Sequence, residues 1–254
     1  MERNMTRLKD KVAVITGAGR GIGAALAEAF AAEGAAVVVN YSVSAAAAAG
    51  VVERILASGG RAVACQADVG RLDEHGSLIE AALGVYGRLD VLVNNAAIDR
   101  REPFLEATPE HWDEVMAVDL KGPYFLAQQA ARVMVASGGG AILNISSVHD
   151  EQAHRDNSLY TIAKGGMKLM TRCLALELAP LGVRVNSLSP GAILTDLNRQ
   201  VLSDPAYREK VLRRIPLGRV GDARELAGAA VLLVSDDGSY ITGSTFYVDG
   251  GLLL

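Results

Sequence analysis

Two cysteines stand in a chain of 254 residues, Cys65 in a strand-like run and Cys173 in a helix-like one, which gives no disulfide framework. Both read as small apolar core residues. No CxxC or HExxH spacing is present, and His149 with His154 lack a third ligand, so no metal site is expected. Lys and Arg total 25 against 29 Asp and Glu, a net charge of −4, with no basic run. Nothing in that balance offers a footprint for nucleic acid or an anionic membrane. No uncharged apolar stretch approaches the roughly 18 residues of a membrane span, and residues 1–9 lack the apolar segment of a signal peptide. A soluble, cytoplasmic protein is expected. Internal repeats and linkers are absent too; the alanine-rich Ala45–Ala49 is a helix former. With half of the residues hydrophobic, one large domain over 1–254 is the expectation.

What is present is alternation. Short apolar, β-branched runs at Lys11–Thr16, Ala36–Asn40, Ala62–Ala67, Leu89–Val93, Ala141–Ile145, Val183–Leu188 and Thr245–Val248 read as seven buried strands. Between them Ile22–Glu33, Ala45–Ala57, Leu72–Tyr86, a long stretch from Pro109 to Ala136, and Ser158–Leu178 read as helices. Strands buried on both faces and alternating with helices predict an α/β, Rossmann-type doubly wound fold with a seven-stranded parallel sheet. The polar segment from Pro190 to about Pro216 follows a strand and is a candidate lid, because ligands of open parallel sheets bind beyond the strands' carboxyl ends.

Two motifs carry chemistry. Between the first strand and first helix lies Thr16-Gly17-Ala18-Gly19-Arg20-Gly21-Ile22-Gly23, where the chain must reverse tightly and offer helix N-terminal amides to an anion. A side chain at Gly17 or Gly21 would block a pyrophosphate there. In Tyr160-Thr161-Ile162-Ala163-Lys164 a phenol and an ammonium stand one helical turn apart, so Lys164 can favour the phenolate. Bringing a tyrosine from about 10 to about 7 takes roughly 4 kcal/mol. Ser147 precedes this pair at the end of an apolar strand.

These motifs, with Asp68-Val69 after the third strand, Asn94-Asn95-Ala96-Ala97 after the fourth, and Ser189-Pro190-Gly191 followed by Thr195, resemble the short-chain dehydrogenase/reductase family over essentially the whole chain. The resemblance implies hydride transfer at nicotinamide C4, with Tyr160 exchanging the substrate's hydroxyl proton, Ser147 holding the reacting oxygen, and Lys164 supplying charge and binding the nicotinamide ribose. It further implies a groove formed by Gly17, Gly19, Arg20, Gly21 and Ile22 at the pyrophosphate, Asp68 and Val69 at the adenine, Asn94, Asn95, Ala96 and Ala97 along its floor, and Pro190, Gly191, Ile193 and Thr195 around the nicotinamide. Asp119 stands where the family usually has an Asn whose main-chain carbonyl holds a water beside the lysine. The Asp either preserves that relay with an altered pH dependence or impairs it. Ala97 replaces the commoner glycine.

Asn40, Tyr41 and Ser42 close the second strand without the carboxylate that grips the ribose 2′-hydroxyl in NAD-binding relatives. Ser42 and Arg20 can meet a 2′-phosphate, so NADP(H) is favoured, with NAD(H) use possible. Asp99, His149 and Asn198 are polar residues around the expected site and are similar to the sugar-contacting positions of the glucose dehydrogenase branch. An aldose or polyol substrate is expected. The alternatives are a 3-oxoacyl-thioester or general ketone reductase, with Arg100 and Arg101 as the local basic residues for an acidic carrier, and a catalytically silent dinucleotide-binding regulator. The resemblance also implies a homotetramer that pairs the long helices, with a dimer as the other outcome.

Overall fold

In the computed structural model, which describes residues 6–195 and 203–254, seven strands form one parallel sheet. They are β1 (Val12–Ile15), β2 (Ala36–Tyr41), β3 (Arg61–Gln66), β4 (Val91–Asn94), β5 (Gly140–Ile145), β6 (Val183–Pro190) and, last in the chain, β9 (Thr245–Val248). Their order is β3-β2-β1-β4-β5-β6-β9. β7 (Ile193–Leu194) and β8 (Gly221–Asp222) make a separate short parallel pair. The helices are α1 (Gly21–Ala32), α2 (Ala45–Ala57), α3 (His75–Tyr86), α4 (Pro109–Met116), α5 (Gly122–Ala136), α6 (Ser158–Leu178), α7 (Pro205–Leu212) and α8 (Ala227–Val234).

Alternating side chains on each strand enter two different cores. Ala13 and Ile15 of β1 pack with Val37, Val39, Leu26, Phe30, Val51 and Val231 on one face. Val12 and Val14 pack with Val38, Leu92, Leu78, Leu126 and Met134 on the other. Each fully buried aliphatic side chain contributes about 1.5–3 kcal/mol, so two covered faces explain why the strands read as unbroken apolar runs. The chain winds β1-β2-β3 one way from the centre and β4-β5-β6 the other. This reversal between β1 and β4 opens a crevice at their carboxyl ends.

Three expectations are corrected. The stretch from Pro109 to Ala136 is not one helix: Ala117–Lys121 is a π turn between α4 and α5. Gly122 follows it, and a Cβ there would stand 2.2 Å from the Val69 carbonyl oxygen. That close approach demands glycine and is where the helix widens. Helix α8, with sequence AGAAVLLV, lies where no helix was expected, because a run that is apolar all round carries no helical period. Finally, the cysteines are not core residues: Cys65 is half-buried and Cys173 is exposed on α6.

Candidate active site

The turn after β1 is held by side chains from three strands. Thr16 is buried, and its Oγ1 accepts hydrogen bonds from the amides of Asn95 (2.9 Å) and Ala96 (3.0 Å). Asn95 Nδ2 donates to the carbonyl oxygens of Thr16 (2.8 Å) and Gly17 (3.3 Å). Gly17 has φ +60°, and a Cβ on it would stand 2.9 Å from Ala96 Cα, so a side chain is excluded by both backbone and neighbour. Gly23 is equally confined, at 2.5 Å from Asn95 Nδ2. Gly19 and the half-buried Ile22 complete the turn against α2.

Asn40, expected in the cofactor groove, is turned away from it. Its Oδ1 accepts from the Gly17 amide (3.0 Å), while Nδ2 donates to the carbonyl oxygens of Ala67 (2.9 Å), Cys65 (3.3 Å) and Tyr41 (3.3 Å). An amide placed between four main-chain groups locks the glycine turn to β2 and β3. Asn94 is likewise buried, its Nδ2 donating to Asn144 Oδ1 (2.9 Å), while Asn144 Nδ2 in turn donates to Thr171 Oγ1 (2.9 Å). It ties the sheet to α6 and does not line the groove.

The remaining groove residues sit at the strand ends. Arg20 is the residue before α1; it is exposed, gives no side-chain cap, and no acidic residue occupies the first helical turn. The N-terminal amides of α1 and a guanidinium without an ion-pair partner among the described residues therefore lie at one mouth, which suits an anion. A Cβ on Gly21 would stand 3.6 Å from Thr195 Cγ2, so the turn and the segment after β6 face each other across the crevice. Pro190 is buried at the end of β6, Gly191 packs so closely on Asp249 that a Cβ would fall 2.6 Å from its Cα, and Ile193 is buried. Asp68 accepts from the Gly70 amide (2.9 Å) and Val69 is buried. Ser42 is exposed just past β2, Tyr41 is half-buried, and Ala96 and Ala97 lie half-buried and exposed after β4. These glycines, amides and cations fit a nicotinamide dinucleotide.

Ser147, Tyr160, Lys164 and Asp119 are brought together beside that groove. Lys164 is 1 % exposed; its Nζ lies 5.2 Å from the Tyr160 ring centre, donates to Ile145 O (3.3 Å) and stands 3.4 Å from Asp119 Oδ2. Asp119 Oδ1 accepts from the Ile98 amide (2.9 Å). Glycine 166 admits this contact, since a Cβ there would meet Leu120 Cδ2 at 2.8 Å, holding the π turn close to α6. Burial pushes the Asp119 carboxyl up against the opposing pull of Lys164. Burial works against the Lys164 charge, but the Asp119 and Tyr160 anions outweigh it and raise its pKa.

The expected lowering of the Tyr160 pKa needs correction. Lys164 does pull it down, yet burial dominates and the Asp119 and Asp99 carboxylates add to it, so the phenol is raised above its ordinary value. Ser147 is buried beside the phenol, and its Oγ accepts from the His149 amide (3.2 Å). The His149 ring packs edge-on against Tyr160 at 5.8 Å between centres and against His154 at 5.3 Å. Burial and then His154 lower the His149 pKa, which favours the neutral ring. Asp99 pairs with Arg101 (3.0 Å) and Arg100 with Glu114 (2.7 Å). Asp150 accepts from Ser189 Oγ (2.6 Å) and Tyr247 Oη (2.9 Å), bracing the Ser147 loop on β6 and β9. Asn198 lies outside the described residues. The hub role of Thr16 and the Asp150–Tyr247 brace carried no signal in the sequence, because both depend on contacts between distant strands.

A family model described as enoyl-(acyl carrier protein) reductase matches residues 17–253. The 3-oxoacyl-[acyl-carrier-protein] reductase of Synechocystis is 42% identical, over 98% of this chain and all of that protein. The chain is a short-chain dehydrogenase/reductase. The L-rhamnose 1-dehydrogenase (NAD(P)(+)) of Azotobacter vinelandii is also 42% identical, covering 97% of this chain and 98% of its own. Among solved structures, a gluconate 5-dehydrogenase from Burkholderia cenocepacia in complex with NADP and tartrate superposes with a TM-score of 0.92 at 38% identity, covering 98% of both chains. As a member of this family the protein is an oxidoreductase acting on a CH–OH group with a nicotinamide dinucleotide. No helix among the described residues is long and apolar enough to cross a membrane, and no group of His, Cys, Asp or Glu among them could hold a metal ion.

Proposed function

We propose that this short-chain dehydrogenase/reductase oxidises a hydroxyl of an aldose or polyol, or reduces the matching carbonyl, with NADP(H) preferred over NAD(H). The observation that carries the substrate class is the polar wall around Tyr160: the His149 ring packed edge-on against the phenol at 5.8 Å between centres, with the Asp99 carboxylate on the segment after β4. Several hydroxyls need convergent donors and acceptors, which an imidazole and a carboxylate supply. The rhamnose and gluconate dehydrogenases among its relatives act on substrates of that kind. NADP(H) is supported by the exposed Arg20, without an ion-pair partner among the described residues, and the exposed Ser42 beside a second strand that ends without a carboxylate, and by the NADP bound in the Burkholderia relative.

In the mechanism the dinucleotide supplies the hydride acceptor or donor. Ser147 Oγ hydrogen-bonds the reacting oxygen and Tyr160 Oη takes its proton in oxidation or returns it in reduction. Lys164 stabilises the phenolate by charge and would hold the nicotinamide ribose. His149 and Asp99 orient the remaining hydroxyls. The candidate lid from Pro190 to about Pro216 includes residues 196–202, which lie outside the described residues.

The 42% identity to a 3-oxoacyl reductase favours a second reading, a thioester reductase. Against it, Arg100 and Arg101 are each paired with a carboxylate and offer little free charge to an acidic carrier. Steady-state assays with both dinucleotides against aldoses, polyols, simple ketones and 3-oxoacyl thioesters separate the two. The highest kcat/KM is expected for a polyhydroxylated substrate with NADP(H). A thioester preferred by more than about tenfold overturns the sugar reading.

The protein works as a homo-oligomer in the cytoplasm. Supporting assembly is a groove of about 550 Å³ between α5 and α6, lined by Leu120, Tyr124, Leu169, Cys173 and Leu174. Leu169 is 60 % and Leu176 80 % exposed on the same helix, an apolar face left to water in the single chain. A second copy presenting the same face covers both.

A further inference from the structure

Asp119 is 0 % exposed, yet only one of its carboxylate oxygens is hydrogen-bonded. Oδ1 takes the Ile98 amide; Oδ2 has no hydrogen-bond partner and faces the Lys164 ammonium at 3.4 Å. A buried carboxylate oxygen without a donor is costly unless a cation offsets it. Lys164 is the cation placed to do so; its ammonium lies against Asp119, the Ile145 carbonyl and the Tyr160 ring. The π turn is what aims the carboxylate this way, since Gly122 and Gly166 let the bulge press between Val69 and α6.

We propose that the Asp119 carboxylate is a positioning residue that pairs with the Lys164 ammonium and shields Tyr160 from part of its charge. This rests on the reading of Tyr160 as the group that exchanges the proton. The charged or titratable groups facing the phenol are Lys164 on its own helix, Asp119 on the π turn, Asp99 after β4, and His149 after β5; Asp150 acts on Lys164 and His154 on His149. Among the carboxylates, Asp119 stands ahead of Asp99 in its effect on the phenol. An amide at position 119 keeps the acceptor for Ile98 and removes the counter-charge. The full Lys164 field then reaches Tyr160 and the phenolate forms at lower pH.

The test is Asp119→Asn, with Asp119→Ser as a second variant that also removes the charge. Two readouts are taken. Tyrosinate absorbance of the protein without substrate is titrated against pH, and the Tyr160→Phe trace is subtracted to isolate Tyr160. The pH profile of kcat/KM is measured with the best alcohol found. Both variants are expected to move the Tyr160 midpoint down by about one pH unit, and the limb of kcat/KM that reports this group is expected to move with it. An unchanged midpoint in a folded variant overturns the proposal. A shifted midpoint with no corresponding limb in the rate profile leaves the pairing standing and refutes the catalytic reading of Tyr160, so the two failures are distinguishable.

Discussion

Replacing Asn40 by alanine removes the side chain that joins the glycine turn to β2 and β3. Two strong hydrogen bonds go, to the Gly17 amide at 3.0 Å and the Ala67 carbonyl at 2.9 Å, with two longer ones at 3.3 Å. The residue is 1 % exposed, so water cannot readily replace them. Each good bond contributes about 1 kcal/mol and each group left unpaired costs about 1–3 kcal/mol, giving a loss of about 2–4 kcal/mol. For a chain of this size that lowers Tm by about 5–15 °C. The freed Gly17 backbone also loosens the anion cradle, and dinucleotide Kd is expected to rise about tenfold or more, equivalent to about 1.4 kcal/mol. Thermal unfolding and dinucleotide titration by fluorescence read the two effects. Asn40→Asp is a demanding control: it keeps the acceptor for Gly17 but turns an anion toward three carbonyl oxygens, and should be at least as unstable. A variant within about 2 °C of the parent with unchanged Kd would refute the assignment of Asn40 as a lock.

Tyr160→Phe should leave dinucleotide affinity intact and reduce kcat by about 10²–10⁴-fold; binding is measured by titration and turnover by nicotinamide absorbance, and a near-normal rate would exclude Tyr160 as the proton-transfer group. Arg20→Ala should raise KM for NADP(H) about tenfold while changing KM for NAD(H) little, as expected for loss of a charge-assisted contact to a 2′-phosphate. Equal effects on the two cofactors would remove Arg20 from that role. Leu169→Glu places a charge in the α5–α6 groove and should reduce the assembly to monomers in sedimentation or size-exclusion experiments; an unchanged mass would place the interface elsewhere.

Much of the fold was legible because the central strands are buried on both faces. Residues 12–15 and 91–93 are buried apolar runs, and the alternation of such runs with helices declares the parallel sheet. Helix α8 was not legible for the related reason that Ala227–Val234 has no polar face to set a period. The α4–α5 stretch read as one helix because a π turn changes the hydrogen-bond pattern without changing residue type; the Lys121-Gly122-Pro123 sequence was its one local sign.

At the site, spacing along the chain placed Tyr160 and Lys164 on one face of α6, and the glycines placed the turn between β1 and α1, since both are local geometry. What local geometry cannot contain is which way a side chain turns when strands distant in sequence surround it. Only the packed sheet turned Asn40 and Asn94 inward as locks and Asp150 onto Tyr247. Only the approach of the π turn to α6 set Asp119 against Lys164 and, with burial, reversed the direction of the Tyr160 pKa. The sequence by itself determined the fold class and the residues available for chemistry. The tertiary structure decided their electrostatic state, because desolvation and the nearness of charges exist only once distant segments pack together.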